Sequence, residues 1–190
     1  MRYNLLKYNY MKDESWCSMS IRLLKYSYRF AEQVLNSNLN LKNEIEEIIY
    51  NASKDLSILS RPAFNDILKE QFIQHGWTSQ PGVFDSDTDA YAKFDFLKDR
   101  IGIEVQFGHP SFMGIDLLKF QIASYSNLDQ IDLGVYIVAT NKFIKTLPKL
   151  YPENKEIKWN GSLPFEKVVN YLPHVKSAIQ VPIYVIGIDI

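Results

Sequence analysis

Apolar positions change their spacing along this chain, and the changes mark out its elements. Ile21-Arg-Leu-Leu-Lys-Tyr26 reads as a strand. Leu41, Ile45, Ile48, Ile49 and Ala52 then step by three and four, the spacing of one helical face. Phe64, Ile67, Leu68 and Phe72 repeat that step after Arg61-Pro62, where proline suits a first helical turn, and Gly76 marks the end. The polar, turn-rich run Gln80–Asp89 reads as a loop. A hairpin is expected over Phe94–Phe107. A helix near Ile115–Asn127 carries the narrow stripe Ile115, Leu118, Ile122, Tyr125, read first as core and alternatively as a contact with a second copy of the chain. Ile131–Thr140 is an apolar, β-branched strand, Pro164–Leu172 a helix, and Val181–Ile188 a closing strand. Strand and helix alternate from Ile101 onward. That alternation predicts an α/β fold with a central mixed β-sheet flanked by helices.

Composition narrows the class. A chain of 190 residues, 46% apolar, is expected to form one globular domain over 1–190, with 1–19 an extension of unassigned role. No apolar run is long enough to span a membrane, and the start lacks the features of a secretory signal. Together with one cysteine, Cys17, this predicts a cytoplasmic protein without disulfides. Cys17, His75, His109 and His174 do not have zinc-ligand spacing. The net charge is −1, yet seven lysines between Lys142 and Lys176 face only Glu153, Glu156 and Glu166. That region reads either as a solvated lysine surface or as a source of phosphate contacts. The echo between Leu5-Leu-Lys-Tyr-Asn-Tyr10 and Leu23-Leu-Lys-Tyr-Ser-Tyr28 is too short to indicate a repeat fold.

The candidate chemistry lies in Phe94–Phe107. Asp95 precedes Glu104 by nine positions, and Glu104 and Gln106 lie two apart in an apolar run. Residues two apart on a strand share a face, and a hairpin through Leu97–Arg100 brings Asp95 back beside them. Two carboxylates meeting at a sheet edge suit a hard divalent cation. The competing reading is a structural salt bridge from Glu104 to Lys98 or Arg100.

The segment Phe94-Asp-Phe-Leu-Lys-Asp-Arg-Ile-Gly-Ile-Glu-Val-Gln-Phe-Gly108 resembles the active-site segment of the BglII and BstYI family of type II restriction endonucleases, within the PD-(D/E)XK nuclease fold. The pattern is an Asp, eight residues, then Glu-x-Gln. Flanking segments carry the resemblance further: Ser60–Asn65 with Lys69–Trp77, then Ser111-Phe112, Asp116-Leu117, Ile131–Val135 and Val181–Ile188. It covers Ile21 to the end of the sequence, weakly in Thr78–Ala92 and Phe143–Pro164.

The resemblance implies that Asp95, Glu104 and Gln106 are catalytic. Asp95, Glu104 and the Val105 carbonyl would hold Mg²⁺, with Mn²⁺ as a substitute. Gln106 stands where most of the larger fold carries lysine. An amide does not titrate near neutrality, so activation of water falls to the metal. Two close carboxylates without metal repel, so one should bind a proton more readily. Gln80 is a loose candidate for supporting the water. The resemblance also implies double-stranded DNA as substrate, a palindromic site with a GATC core, 5′ overhangs, a homodimer, and a cognate methyltransferase protecting host DNA. Base contacts would come from His109, Ser111, Thr140, Asn141 and Lys142, with capping of a turn as the alternative for each of them. A structure-selective or repair nuclease, or a noncatalytic DNA-binding protein on the same fold, are the alternatives.

Overall fold

The computed structural model describes residues 21–83, 93–125 and 129–190. Part of the expected loop Gln80–Asp89, the end of the expected Ile115–Asn127 helix and the Leu5–Tyr10 echo lie outside the described residues. The strands are β1 (Arg22–Tyr28), β2 (Thr78–Ser79), β3 (Phe96–Lys98), β4 (Ile101–Val105), β5 (Leu133–Ala139) and β6 (Ile183–Asp189). The α-helices are α1 (Ala31–Asn36), α2 (Leu39–Ala52), α3 (Arg61–Gln74), α4 (Met113–Tyr125), α5 (Asn141–Leu150) and α6 (Phe165–Tyr171).

The six strands form one mixed sheet in the order β1-β6-β5-β4-β3-β2. The central strands β4, β5 and β6 are parallel, while β1, β3 and β2 pair antiparallel at the two sides. β5 shows how the sequence demands this arrangement. All seven of its residues are buried. Leu133, Val135, Ile137 and Ala139 join one apolar cluster with Ile45, Phe64, Leu68 and Phe143 from α2, α3 and α5. Tyr136 and Val138 join the opposite cluster with Leu117 and Phe120 of α4 and Phe165 of α6. A strand apolar on both faces needs a helical layer on each, so the α/β architecture with a flanked mixed sheet is as expected.

Gly134 sets how closely α4 approaches. A Cβ at this position would lie 2.7 Å from the Phe120 ring, so the helix packs against bare backbone. This contact brings the buried polar residue of α4, Asp116, over β4 and β5.

Two expectations change. Ile115, Leu118 and Tyr125 are exposed rather than core; α4 buries Met113, Leu117, Phe120 and Ala123 instead. The helical period was read correctly but not its phase, because α4 is apolar on more than one side and the fit around Gly134 selects the face. Secondly, α5 was not anticipated. Thr140 caps it, Phe143, Ile144 and Leu147 bury its inner face, and Pro148 within its last turn masks the helical signal. No helix among the described residues is long and apolar enough to cross a membrane.

Candidate active site

The hairpin is built around its turn. Asp99 and Arg100 both have positive φ, 45° and 65°, as a two-residue turn requires. Pairing then runs Lys98 with Ile101, Leu97 with Gly102 and Phe96 with Ile103. Arg100 fixes the turn by donating to Asp132 at 2.8 Å and Asp129 at 2.7 Å. Lys98 pairs with Glu44 at 2.8 Å. Neither cation therefore serves Glu104, and the salt bridge that the sequence suggested for it has a different donor.

Just beyond this register the chain bends so that the backbone N–H of Asp95 donates to the Ile103 carbonyl at 3.1 Å. The Asp95 carboxylate in turn accepts from the Val105 N–H at 2.7 Å. Glu104 points to the α4 side of the sheet and is 4% exposed. Its partner is Lys119, whose Nζ lies 2.5 Å from Oε1. The same ammonium lies 3.2 Å from Asp116 Oδ1 and donates to the Lys93 carbonyl at 3.1 Å. Asp116 Oδ2 accepts from Gln106 Nε2 and from the Tyr136 hydroxyl, both at 2.8 Å. Gln106 Oε1 accepts from the Gly108 N–H at 2.8 Å. The two contacts fix the amide's orientation, since one partner can only accept and the other can only donate. Glu104 and Gln106 do share a face, as their spacing predicted.

Asp95, Glu104 and Asp116 thus converge with one ammonium among them. Burial, then the charge of Asp95, pushes the Glu104 carboxyl up to about 9, against the pull of Lys119. Burial also raises Asp95, opposed by the Val105 N–H. Burial works against the Lys119 charge, but Glu104 and Asp116 outweigh it and hold its pKa above the ordinary lysine value. Burial and the Asp116 carboxylate raise the Tyr136 hydroxyl well above its usual range. With all three carboxylates ionised, two negative charges remain after Lys119 is counted. That surplus fits a divalent cation, whose charge would favour the ionised form of Glu104 over the protonated form that burial favours without it. Among the described residues no three His, Cys, Asp or Glu side chains form a metal cluster. The donors on hand are Asp95, Glu104 and the Val105 peptide, a sparse set of the kind that suits an ion retaining several waters.

Asp95 opens onto two small clefts. One, of about 250 Å³, is walled by Asn65 and Lys69 of α3, with Gln80 and Val105. The other, of about 200 Å³, is walled by Gln80, Phe112, Asp116 and Lys119. Gln80 borders both, and its N–H donates to the Asp95 carbonyl at 3.0 Å.

The five expected DNA contacts divide. They sit after β4 and β5, at the carboxyl ends of parallel strands, where open α/β sheets bind ligands. His109 and Ser111 are exposed and bonded to each other, with the Ser111 N–H donating to His109 Nδ1 at 3.2 Å. Asn141 and Lys142 are exposed at the start of α5; the Asn141 N–H donates to Glu166, and Lys142 Nζ to the Ile190 carbonyl. Thr140 differs. It is fully buried, donates to Asp189 Oδ1 at 2.7 Å and accepts from the Phe143 N–H at 3.0 Å. Its hydroxyl caps α5, the role that the sequence left open to it beside a base contact.

Asp116, Lys119 and Tyr136 were not singled out from sequence as site residues. A signal existed: Asp116 and Lys119 are charges one helical turn apart inside the apolar run Ile115–Phe120.

Comparison with known proteins bears on the family and the fold. The family model for restriction endonuclease BglII/BglIII matches residues 23–188. No curated protein sequence matches the chain. The crystal structure of restriction endonuclease BglII complexed with a DNA 16-mer superposes with a TM-score of 0.67 at 21% identity, covering 87% of this chain and 77% of that one. Free BglII superposes at 0.59 and 20% identity, with 87% and 78% covered. The structural likeness establishes the fold, and the sequence match, spanning nearly the whole chain, establishes that the chain belongs to the BglII/BglIII family of restriction endonucleases, enzymes that hydrolyse DNA.

Proposed function

We propose that this chain is a Mg²⁺-dependent type II endonuclease that cuts double-stranded DNA at a short palindrome with a GATC core, leaving 5′ overhangs. The observation that carries the reading is the convergence of Asp95 and Glu104 beside the Val105 peptide in a member of this family. Those groups would hold Mg²⁺, or Mn²⁺ in its place; the bound ion supplies an acidified water and offsets charge on the scissile phosphate. Asp95 and Glu104 position that chemistry. Gln106, whose amide both Asp116 and Gly108 hold in place, fixes the end of β4 against α4 and has no proton to exchange near neutrality. His109, Ser111, Asn141 and Lys142 present donors and acceptors to base edges and phosphates.

A palindromic substrate calls for a two-fold homodimer with one site per strand. A partner methyltransferase, action in the cytoplasm and a single catalytic unit over 1–190 complete the reading. Incubation with plasmid DNA and Mg²⁺ should give discrete fragments whose mapped ends share one palindrome. Asp95→Ala should abolish cutting while gel-shift binding to the same site persists. Smeared products, or equal cutting by Asp95→Ala, would refute the assignment.

A further inference from the structure

Lys119 is the cation that contacts both Glu104 and Asp116. It reaches the site from α4, and its side chain is only 12% exposed. An ammonium has three protons to donate, and here three oxygens surround it: Glu104 Oε1 at 2.5 Å, Asp116 Oδ1 at 3.2 Å and the Lys93 carbonyl at 3.1 Å. These protein oxygens crowd the ammonium, so Lys119 acts through the groups it contacts. The oxygen it contacts most closely belongs to a carboxylate that the proposed function assigns to the metal.

We propose that Lys119 is a positioning residue that serves as a resident counter-ion: it occupies Glu104 in the metal-free protein and competes with the divalent cation for that carboxylate. The proposal rests on the metal reading of Asp95 and Glu104. It follows from charge and contact alone. Asp95 and Glu104 can offset the charge of a bound divalent cation, but the like charge of the neighbouring Lys119 ammonium still repels it, so Lys119 opposes binding whatever proton Glu104 held beforehand. Lys119 therefore does two things. It keeps the buried carboxylates in register without metal, and it keeps metal affinity low until the negative charge of a DNA phosphate enters the site.

The test is a Mn²⁺ titration of DNA-free protein, with free Mn²⁺ read by electron paramagnetic resonance. Compared are the wild type, Lys119→Met, Lys119→Arg and Asp95→Ala. Lys119→Met should bind at least about tenfold more tightly than the wild type, since a unit charge close to a divalent cation is worth that much even at a water-like dielectric of ~80. Lys119→Arg should stay near the wild-type affinity. Structural damage alone would weaken binding, so a gain reports competition. If Lys119→Met does not fold, Lys119→Gln replaces it with the same expected gain. Binding that Asp95→Ala abolishes, but that neither neutral variant tightens, overturns the role of Lys119 and leaves the metal site standing. Binding indifferent to Asp95→Ala in every background overturns the metal reading and this proposal with it.

Discussion

Replacing Glu104 by Gln should remove a pH dependence of stability that the wild type carries in the absence of metal. Unfolded, this carboxyl titrates near 4.5; folded, burial and Asp95 push it up to about 9. Between those values the folded state binds more protons than the unfolded state, so stability falls as pH rises. The contribution is fully present below 4.5 and lost by about 9. The limiting slope for one proton is about 1.4 kcal/mol per pH unit. Between pH 6.5 and 8.5 the ceiling is therefore about 2.7 kcal/mol, and sharing of charge with Lys119 reduces the expected loss to about 1–2 kcal/mol. That is a measurable part of a total stability of about 5–15 kcal/mol. The window lies away from several shifted groups. Asp132, held down first by Arg100, and Asp189, held down by Thr140 and Arg22 against its burial, lose their effect only in acid. Lys119, raised, loses its effect only above the ordinary lysine range. Urea denaturation followed by circular dichroism in EDTA, at three pH values across the window, measures the slope. The wild type should weaken as pH rises, Glu104→Gln should stay nearly flat, and Mg²⁺ should flatten the wild type alone. Parallel profiles for the two proteins would refute the burial argument.

Two further substitutions test the scaffold. Gly134→Ala places a methyl 2.7 Å from the Phe120 ring and should cost about 1–3 kcal/mol in urea denaturation; because Phe120 lies on the helix that carries Asp116 and Lys119, cleavage should fall beyond the loss of folded protein. Thr140→Val removes the cap of α5 and the donor to Asp189, and should cost about 1–2 kcal/mol while the mapped cleavage sequence stays the same.

The sequence was most legible where one local rule sufficed. The apolar, β-branched run Ile131–Thr140 and the step of three and four through Phe64–Phe72 each follow from local composition and spacing. So does the hairpin that returns Asp95 to Glu104. The phase of α4 was not legible, because Ile115 and Leu118 are as apolar as Leu117 and Phe120, and only the gap over Gly134 decides which pair is buried. For Thr140 the sequence left a base contact and a cap both open; the unanticipated helix α5 makes it a buried cap.

By itself, the sequence determined the α/β class and the family and pointed to the pair of carboxylates, since each element and motif is written in local spacing. The tertiary structure decided the partners of that pair. Lys98 and Arg100, neighbours of Glu104 in sequence, are drawn to Glu44, Asp129 and Asp132. Lys119, fifteen positions on, reaches Glu104 because α4 lies flat on the sheet above it. Spacing along a chain constrains what a single element can bring together; which charge meets which across two layers is set by packing, and here by the missing side chain of Gly134.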